Sequence, residues 1–250
     1  PPGQISQNTL DFLQKLKDPK YNDREWFKLH EGIPEPVYRQ AEKEWNDFVE
    51  AFTSTLTEVD DEIPHLPPKD VIHRIYRDVR FSNDKTPYKS NFSASFSRTG
   101  RKGTFSHYHV SISPKGGSIF AAGVWCPGKN ELEQIRSHLK RNAAPLRNLI
   151  SEPTFESLFG PAKWTQGKRQ SIFGREDQLK VAPKGVAKDH PFAVAHRLSD
   201  EQVLAPDFIE LLGVIAEAAK PFVHRQVSLL NRMMTLGVNE DEDEDEEAES

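Results

Sequence analysis

Between Arg74 and Lys89 the chain carries five cations, Arg74, Arg77, Arg80, Lys85 and Lys89. Two carboxylates, Asp78 and Asp84, and a tyrosine, Tyr88, are interleaved with them. A guanidinium is a planar fork that grips phosphate or carboxylate through parallel hydrogen bonds. A neighbouring carboxylate can fix the fork's orientation, and a lysine adds a compact point charge. These types at this density suit recognition of an anion. Arg74, Arg80 and Lys85 would contact it, Asp78 would orient the guanidinium groups, and Tyr88 would donate a hydrogen bond or stack. Arg77 and Phe81 would support them. The plainer alternative is an ion-pair ladder that fixes a sheet surface.

The element that must position these groups reads as a strand over 71–81. Alternation puts His73, Ile75, Arg77, Val79 and Phe81 on one face, and Ile72, Arg74, Tyr76, Asp78 and Arg80 on the other. Same-face neighbours lie roughly 6–7 Å apart, which brings Asp78 within reach of Arg74 or Arg80. Arg77, among apolar neighbours, needs a buried acidic partner or must extend its head to water.

The string Arg74-x-x-Arg77-Asp78-x-Arg80-Phe81-x-x-Asp84-Lys85-x-x-Tyr88 resembles the signature of domain-of-unknown-function family 2461, found in bacteria and fungi. Asn22-Asp23-Arg24-Glu25-Trp26-Phe27, Gly123-Val124-Trp125-Cys126-Pro127, Ala182-Pro183-Lys184-Gly185 and Asp189-His190-Pro191 resemble further pieces of it. The chain departs from the family after Pro191, where Phe192-Ala193-Val194-Ala195-His196 replaces a leucine-rich helix. The resemblance implies a fold and the place of a site, and no reaction.

Composition bounds the rest. The chain has 250 residues, 36% hydrophobic and 28% charged, which suits one globular domain over residues 4–237 with a full core. It opens Pro1-Pro2-Gly3, as a trimmed chain would, with no signal-peptide pattern. No run reaches the roughly 20 apolar residues of a membrane span, so no membrane partner is expected. The lone cysteine, Cys126, excludes an internal disulfide framework and fits a reducing, intracellular compartment, cytoplasmic or nuclear. Residues 240–249 hold nine carboxylates, and removing them from the net charge of −5 leaves +4. Residues 238–250 therefore read as a disordered acidic tail on a basic body. Such a tail confers solubility, competes for the basic face or engages a basic protein partner.

The element pattern is α+β: an antiparallel β-meander packed with helices from both the N- and C-terminal segments. Helices are expected over 7–17, from an Asn22/Asp23 cap, and from Pro34 to 57 through Val37, Ala41, Trp45, Phe48, Phe52 and Leu56. Residues 60–70 read as a loop. Strands follow at 91–98, with Ser93, Ser95 and Ser97 on a half-exposed face, and at 105–113 and 118–125. A basic hairpin loop, 98–103, and a Gly116-Gly117 turn connect them. Later helices are expected over 130–140, with Asn130 and Glu133 as a capping pair, within 143–160, and over 206–232, with Pro221 kinking or dividing the last. Residues 167–191 have little periodicity, with a short strand at Ser171-Ile172-Phe173.

His107 and His109 lie two apart on one strand face, a spacing that can present two imidazoles to a metal if Asp78 or His73 adds a third ligand. Without one they are half-exposed histidines, and no metal is assigned. No cofactor is identified, because phosphate-loop, dinucleotide, nucleophile-elbow and kinase patterns are absent. The basic hairpin (Arg98, Arg101, Lys102), the 85–89 turn and Arg74/Arg80 can form one positive surface, with Tyr76, Tyr88 and Tyr108 as stacking faces. The leading reading is an anion-recognition domain for a phosphorylated ligand or a nucleic-acid backbone. The alternatives are a hydrolase or transferase acting on a phosphorylated substrate, with Asp78 as base or metal ligand and a histidine such as His109 as proton shuttle, and a nuclear interaction module that uses the acidic tail.

Overall fold

A computed structural model describes residues 3–29, 37–102, 107–124, 141–160 and 192–237. Helix α1, Gln7–Lys15, starts at Ser6, whose Oγ accepts from the Thr9 N–H. One carboxylate oxygen of Glu44 accepts from the Ser6 N–H, the Ser6 hydroxyl and the Thr9 hydroxyl at 3.2, 2.8 and 2.6 Å. That oxygen ties α1 to the long helix α3, Val37–Val59. Between them lies α2, Arg24–Leu29, capped by Asp23, whose Oδ1 accepts from the N–H groups of Glu25 and Trp26. Asn22, expected to share the cap, is buried and does something else, described below.

Helix α3 buries Ala41, Trp45, Phe48, Val49, Phe52 and Leu56, one stripe at helical spacing. Its rings form a stack: Trp45 lies 5.3 Å from Phe48 and 5.8 Å from Phe92, and Phe48 lies 5.5 Å from Phe208. Phe52 meets Phe96 edge-on at 5.2 Å. Such pairs add about 0.5–1.5 kcal/mol each beyond the area they bury. At the end of α3 the buried Asp60 carboxylate accepts from the Tyr108 hydroxyl at 2.7 Å.

The segment expected as a loop, 60–70, ends in a one-turn helix, α4, Pro68–Val71. Pro68 sits at its start, where a missing N–H costs nothing. The strand expected over 71–81 shrinks to β1, Ile72–His73. Its partner β2, Phe92–Phe96, pairs only at Ile72↔Ala94 and His73↔Ser93. One further bridge, Tyr76↔Tyr88, closes the stretch, with Arg77 N–H on Pro87 O and Lys89 N–H on Ile75 O, both at 2.8 Å. Beyond it, side chains bond the backbone locally and displace a ladder. Asp78 Oδ1 accepts from the Arg80 N–H, and Asp84 Oδ1 from the Thr86 N–H. The alternation fails accordingly: Phe81, indexed with the apolar face, is 95% exposed.

Strand β2 pairs with β3, His107–Ile112, from Phe92↔Ile112 to Phe96↔Tyr108. Ser93, Ser95 and Ser97 are buried, not half-exposed, because β2 is covered on both faces, and the Ser95 and Ser97 hydroxyls find partners inside. A 3₁₀ turn, Gly100–Lys102, follows β2. Strand β4 is Ser118–Val124, and the strand order is β1-β2-β3-β4-β5 in one antiparallel sheet. The turn before β4 places Lys115 and Gly116 at φ 62° and 65°, and the Asp200 carboxylate accepts both their N–H groups at 2.8 and 2.9 Å. Strand β5, Phe192–Leu198, was not anticipated, nor was α7, Asp200–Leu204, with its Ser199/Gln202 capping box. Helices α5, Ala144–Ile150, and α6, Pro153–Phe159, fall where expected. Helix α8, Phe208–Gly237, runs through Pro221, which does not divide it.

The fold is thus α+β, with helices on both the N- and C-terminal sides of an antiparallel sheet. Contacts group the chain into two compact units. The first comprises Pro1–Gly103, His107–Ala121 and Ala195–Glu217, and the candidate site lies in it. The second comprises Thr104–Ser106, Ala122–Val194 and Ala218–Ser250. Its described core gathers Leu146, Leu149, Ile150 and Phe155, with the Phe155 ring 5.9 Å from Phe222. The expected helix over 130–140, its Asn130/Glu133 cap, the Ser171–Phe173 strand, Cys126, His190 and the acidic tail lie outside the described residues. Among the described residues no helix is long and apolar enough to cross a membrane.

Candidate functional site

The arginine-rich signature folds into a loop that closes on itself. The Arg80 guanidinium donates to both oxygens of Asp78, at 3.0 and 2.7 Å. The Arg77 guanidinium donates to the Asp84 carboxylate and the Thr86 hydroxyl. Lys85 Nζ donates to the Val79 carbonyl at 3.0 Å. Hydrogen bonds, from Arg80 to Asp78 and from Thr86 and Arg77 to Asp84, hold both carboxyls at about 2, below the usual range. Asp78 is a weak base under these conditions. Arg77 takes an exposed acidic partner, not a buried one, and Asp78 engages Arg80 while leaving Arg74 as a more distant charge.

Arg74 points elsewhere, into a cleft of ≈ 650 Å³. Four other cations line it: Lys69 from α4, Lys89 beyond the Tyr76↔Tyr88 bridge, and Arg101 and Lys102 from the 3₁₀ turn. Among the described residues none of the five makes an ion pair within 4 Å. Glu42 of α3 is the one carboxylate among the described lining residues, and its Oε1 accepts from the Tyr38 hydroxyl at 3.0 Å. Burial, and then Glu42, push the Tyr38 hydroxyl's pKa up. Burial, and then Arg74, lower the Lys89 ammonium. Tyr76, 52% exposed, gives the cleft an aromatic face, and its ring lies 5.4 Å from that of Tyr88.

Two local devices hold these cations in place. Asn22 bridges distant backbone: its amide donates to Leu16 O and Tyr88 O at 2.7 and 2.9 Å, and its carbonyl accepts from the Tyr88 N–H at 3.0 Å. That clamp fixes the segment that delivers Lys89. Gly100 turns the chain at φ 75°, where a Cβ would meet Asp70 O at 2.8 Å. Its carbonyl accepts from Ser97 Oγ at 2.7 Å, and the Arg101 guanidinium donates to Lys69 O. A smaller cavity of ≈ 260 Å³, which includes Asp70 and Thr99, shares Arg101 and Lys102.

His73 also lines the cleft. Its Nε2 lies 2.8 Å from Ser95 Oγ, which lies 2.8 Å from His109 Nδ1. Burial first, and then Lys89, Arg101 and His107, bring His73 down to about 4. Burial, and then His73, His107 and Lys89, bring His109 to about 3. Both rings are neutral at pH 7. Among the described residues no three His, Cys, Asp or Glu side chains converge as a metal site requires.

The structure therefore brings Arg74 together with Lys89, Arg101 and Lys102 of the expected positive surface and with Lys69, which that surface did not include. Arg77, Asp78, Arg80 and Lys85 belong to the self-closed loop, and His109 stands behind the wall formed by His73. Tyr88 is buried, with its N–H on Asn22. Of the surface drawn from the basic hairpin, Arg101 and Lys102 reach the cleft, whereas Arg98 pairs with Glu62. Tyr108 is buried against Asp60 and offers no stacking face. The missed signal was Lys69, just inside α4.

The family model of a conserved hypothetical protein (DUF2461) matches residues 8–224, and the chain belongs to that family. Neither the curated proteins nor the solved structures contain a match.

Proposed function

We propose that this protein binds a small phosphorylated or similar oxyanionic ligand in the cleft between α3, α4, β1 and the 3₁₀ turn. The observation that carries the reading is the convergence of Lys69, Arg74, Lys89, Arg101 and Lys102 on one cleft with no ion-pair partner among the described residues. Cations held this close repel one another, and the lowered Lys89 pKa registers that cost beside the larger one of burial. A bound dianion relieves it. The volume of ≈ 650 Å³ is that of a metabolite site, and Tyr76 offers an apolar face to the rest of the ligand. The signature loop, with its charges internally matched, is the support beside the cleft and not the contact surface. The nucleic-acid backbone reading draws on the same cations but needs an extended track. A reducing compartment, cytoplasmic or nuclear, suits the lone cysteine.

Calorimetric titration with pyrophosphate at low salt tests the reading. Each charge-assisted hydrogen bond contributes about 1.5–3 kcal/mol, so Lys89→Met with Arg101→Met should weaken binding by well over tenfold. Equal affinity in that variant would remove the cleft as the site. Tight binding of single-stranded RNA with none of pyrophosphate would favour the backbone reading instead.

A further inference from the structure

Ser95 is 4% exposed and stands between two imidazoles whose centroids are 5.8 Å apart. Strand register creates the arrangement, since Ser95 pairs across with His109 and Ser93 with His73. A hydroxyl has one proton to give. When Ser95 donates to His109 Nδ1, it accepts from His73 Nε2–H, and His73 Nδ1 is left as a lone pair. When the order reverses, His73 Nδ1 carries the proton and His109 donates from Nδ1–H. Both orders satisfy His73 Nε2, Ser95 Oγ and His109 Nδ1 without a charge on either ring. Nδ1 of His73 has no hydrogen-bond partner among the described residues, while the ring lines the cleft.

Building on the anion reading of the cleft, we propose that His73 is its proton-exchanging group, gaining a proton on Nδ1 when an oxyanion binds and losing it on release. Ser95 and His109 act as positioning residues. The proton comes from solvent or from an acidic hydroxyl of the ligand. His73 becomes an imidazolium whose Nε2–H stays on Ser95 Oγ, and the Ser95 proton stays on His109. Among the described residues the charged or titratable groups around His73 are Lys89, Arg101 and His107, with His109 across Ser95, Arg74 next in the chain, and Tyr38, Glu42, Lys69 and Lys102 in the cleft lining. Burial first, and then Lys89, Arg101 and His107, keep the imidazole neutral at pH 7, with a pKa of about 4. An oxyanion neutralises Lys89 and Arg101 and adds its own attraction, so proton affinity rises. The cleft then binds its anion more tightly as pH falls and holds an acid beside it.

Sulfate is the probe, because it remains a dianion near pH 5 and exchanges no protons itself. Calorimetry in two buffers of different ionisation enthalpy, at about pH 5, should show proton uptake on sulfate binding that His73→Gln loses. Ser95→Ala should change the uptake without abolishing sulfate binding. Uptake that persists in His73→Gln and disappears in Glu42→Gln would overturn the proposal and leave the cleft reading intact. No sulfate binding to the wild-type chain would overturn both. Should His73→Gln not fold, the ¹H–¹³C signal of His73 in the wild-type chain decides. Saturating sulfate should raise its proton affinity by about tenfold or more, and an unmoved titration would overturn the assignment.

Discussion

Arg80 donates both arms of its guanidinium to Asp78, two residues away, and lies 5.8 Å from the exposed Phe81 ring. A fork already filled has little left for a ligand. Arg80→Ala should therefore leave pyrophosphate affinity within about twofold, as a solvent-exposed pair contributes little. The histidines make the opposite kind of statement. Their folded pKa values, about 4 for His73 and about 3 for His109, lie below the ordinary 6.5. Between those limits the unfolded chain binds protons that the folded chain excludes, so stability rises with pH across the window. The urea midpoint should fall as pH drops from about 6.5 to about 4, and should fall less in His73→Gln. Asp78 and Asp84, held at about 2, stay ionised through that window, so what they contribute is constant across it and is lost only at lower pH, as it falls towards about 2.

Two small devices in the connecting segments set the cleft's geometry. Removing Asn22 takes away three buried hydrogen bonds at once, to Leu16 O, Tyr88 O and the Tyr88 N–H. Asn22→Ala should cost about 2–3 kcal/mol in denaturant unfolding, at about 1 kcal/mol for each bond lost. Gly100→Ala must place a Cβ against Asp70 O at φ 75° and should shift the Arg101/Lys102 turn, lowering anion affinity along with stability. Helices α1, α3 and α8 and strands β2 to β4 were legible because one face of each repeats at its own period. Strand β1 was not, because alternation records a side chain's neighbours and not whether a partner strand exists. Residues 71–81 alternate, yet Asp78 bonds its own backbone, as does Asp84 in the turn beyond, and the pairing with β2 ends at His73. Strand β5 was missed because Phe192 and Val194 give only a brief alternation after a weakly patterned stretch. The site was half legible. Arg74 and Lys89 lie in the dense window, but Lys69, Arg101 and Lys102 meet them only through α4 and the 3₁₀ turn.

Across the whole molecule the net charge of −5 hides a basic body, since nine carboxylates sit in residues 240–249. On the anion reading proposed above, a run of that sign would compete with the ligand for the cleft cations at low salt, and at 0.1 M salt screening would weaken its pull beyond about 10 Å. Deleting residues 239–250 should raise pyrophosphate affinity at low salt and leave it unchanged at high salt. The central claim is that the anion site is the cleft that contains Arg74 and not the loop that contains Arg80. Both side chains are exposed, so charge reversal at either leaves the core untouched. The direct measurement is pyrophosphate affinity of Arg74→Glu beside Arg80→Glu, by calorimetry at low salt. The account predicts that Arg74→Glu loses binding while Arg80→Glu keeps it. Binding lost in Arg80→Glu and kept in Arg74→Glu would contradict it.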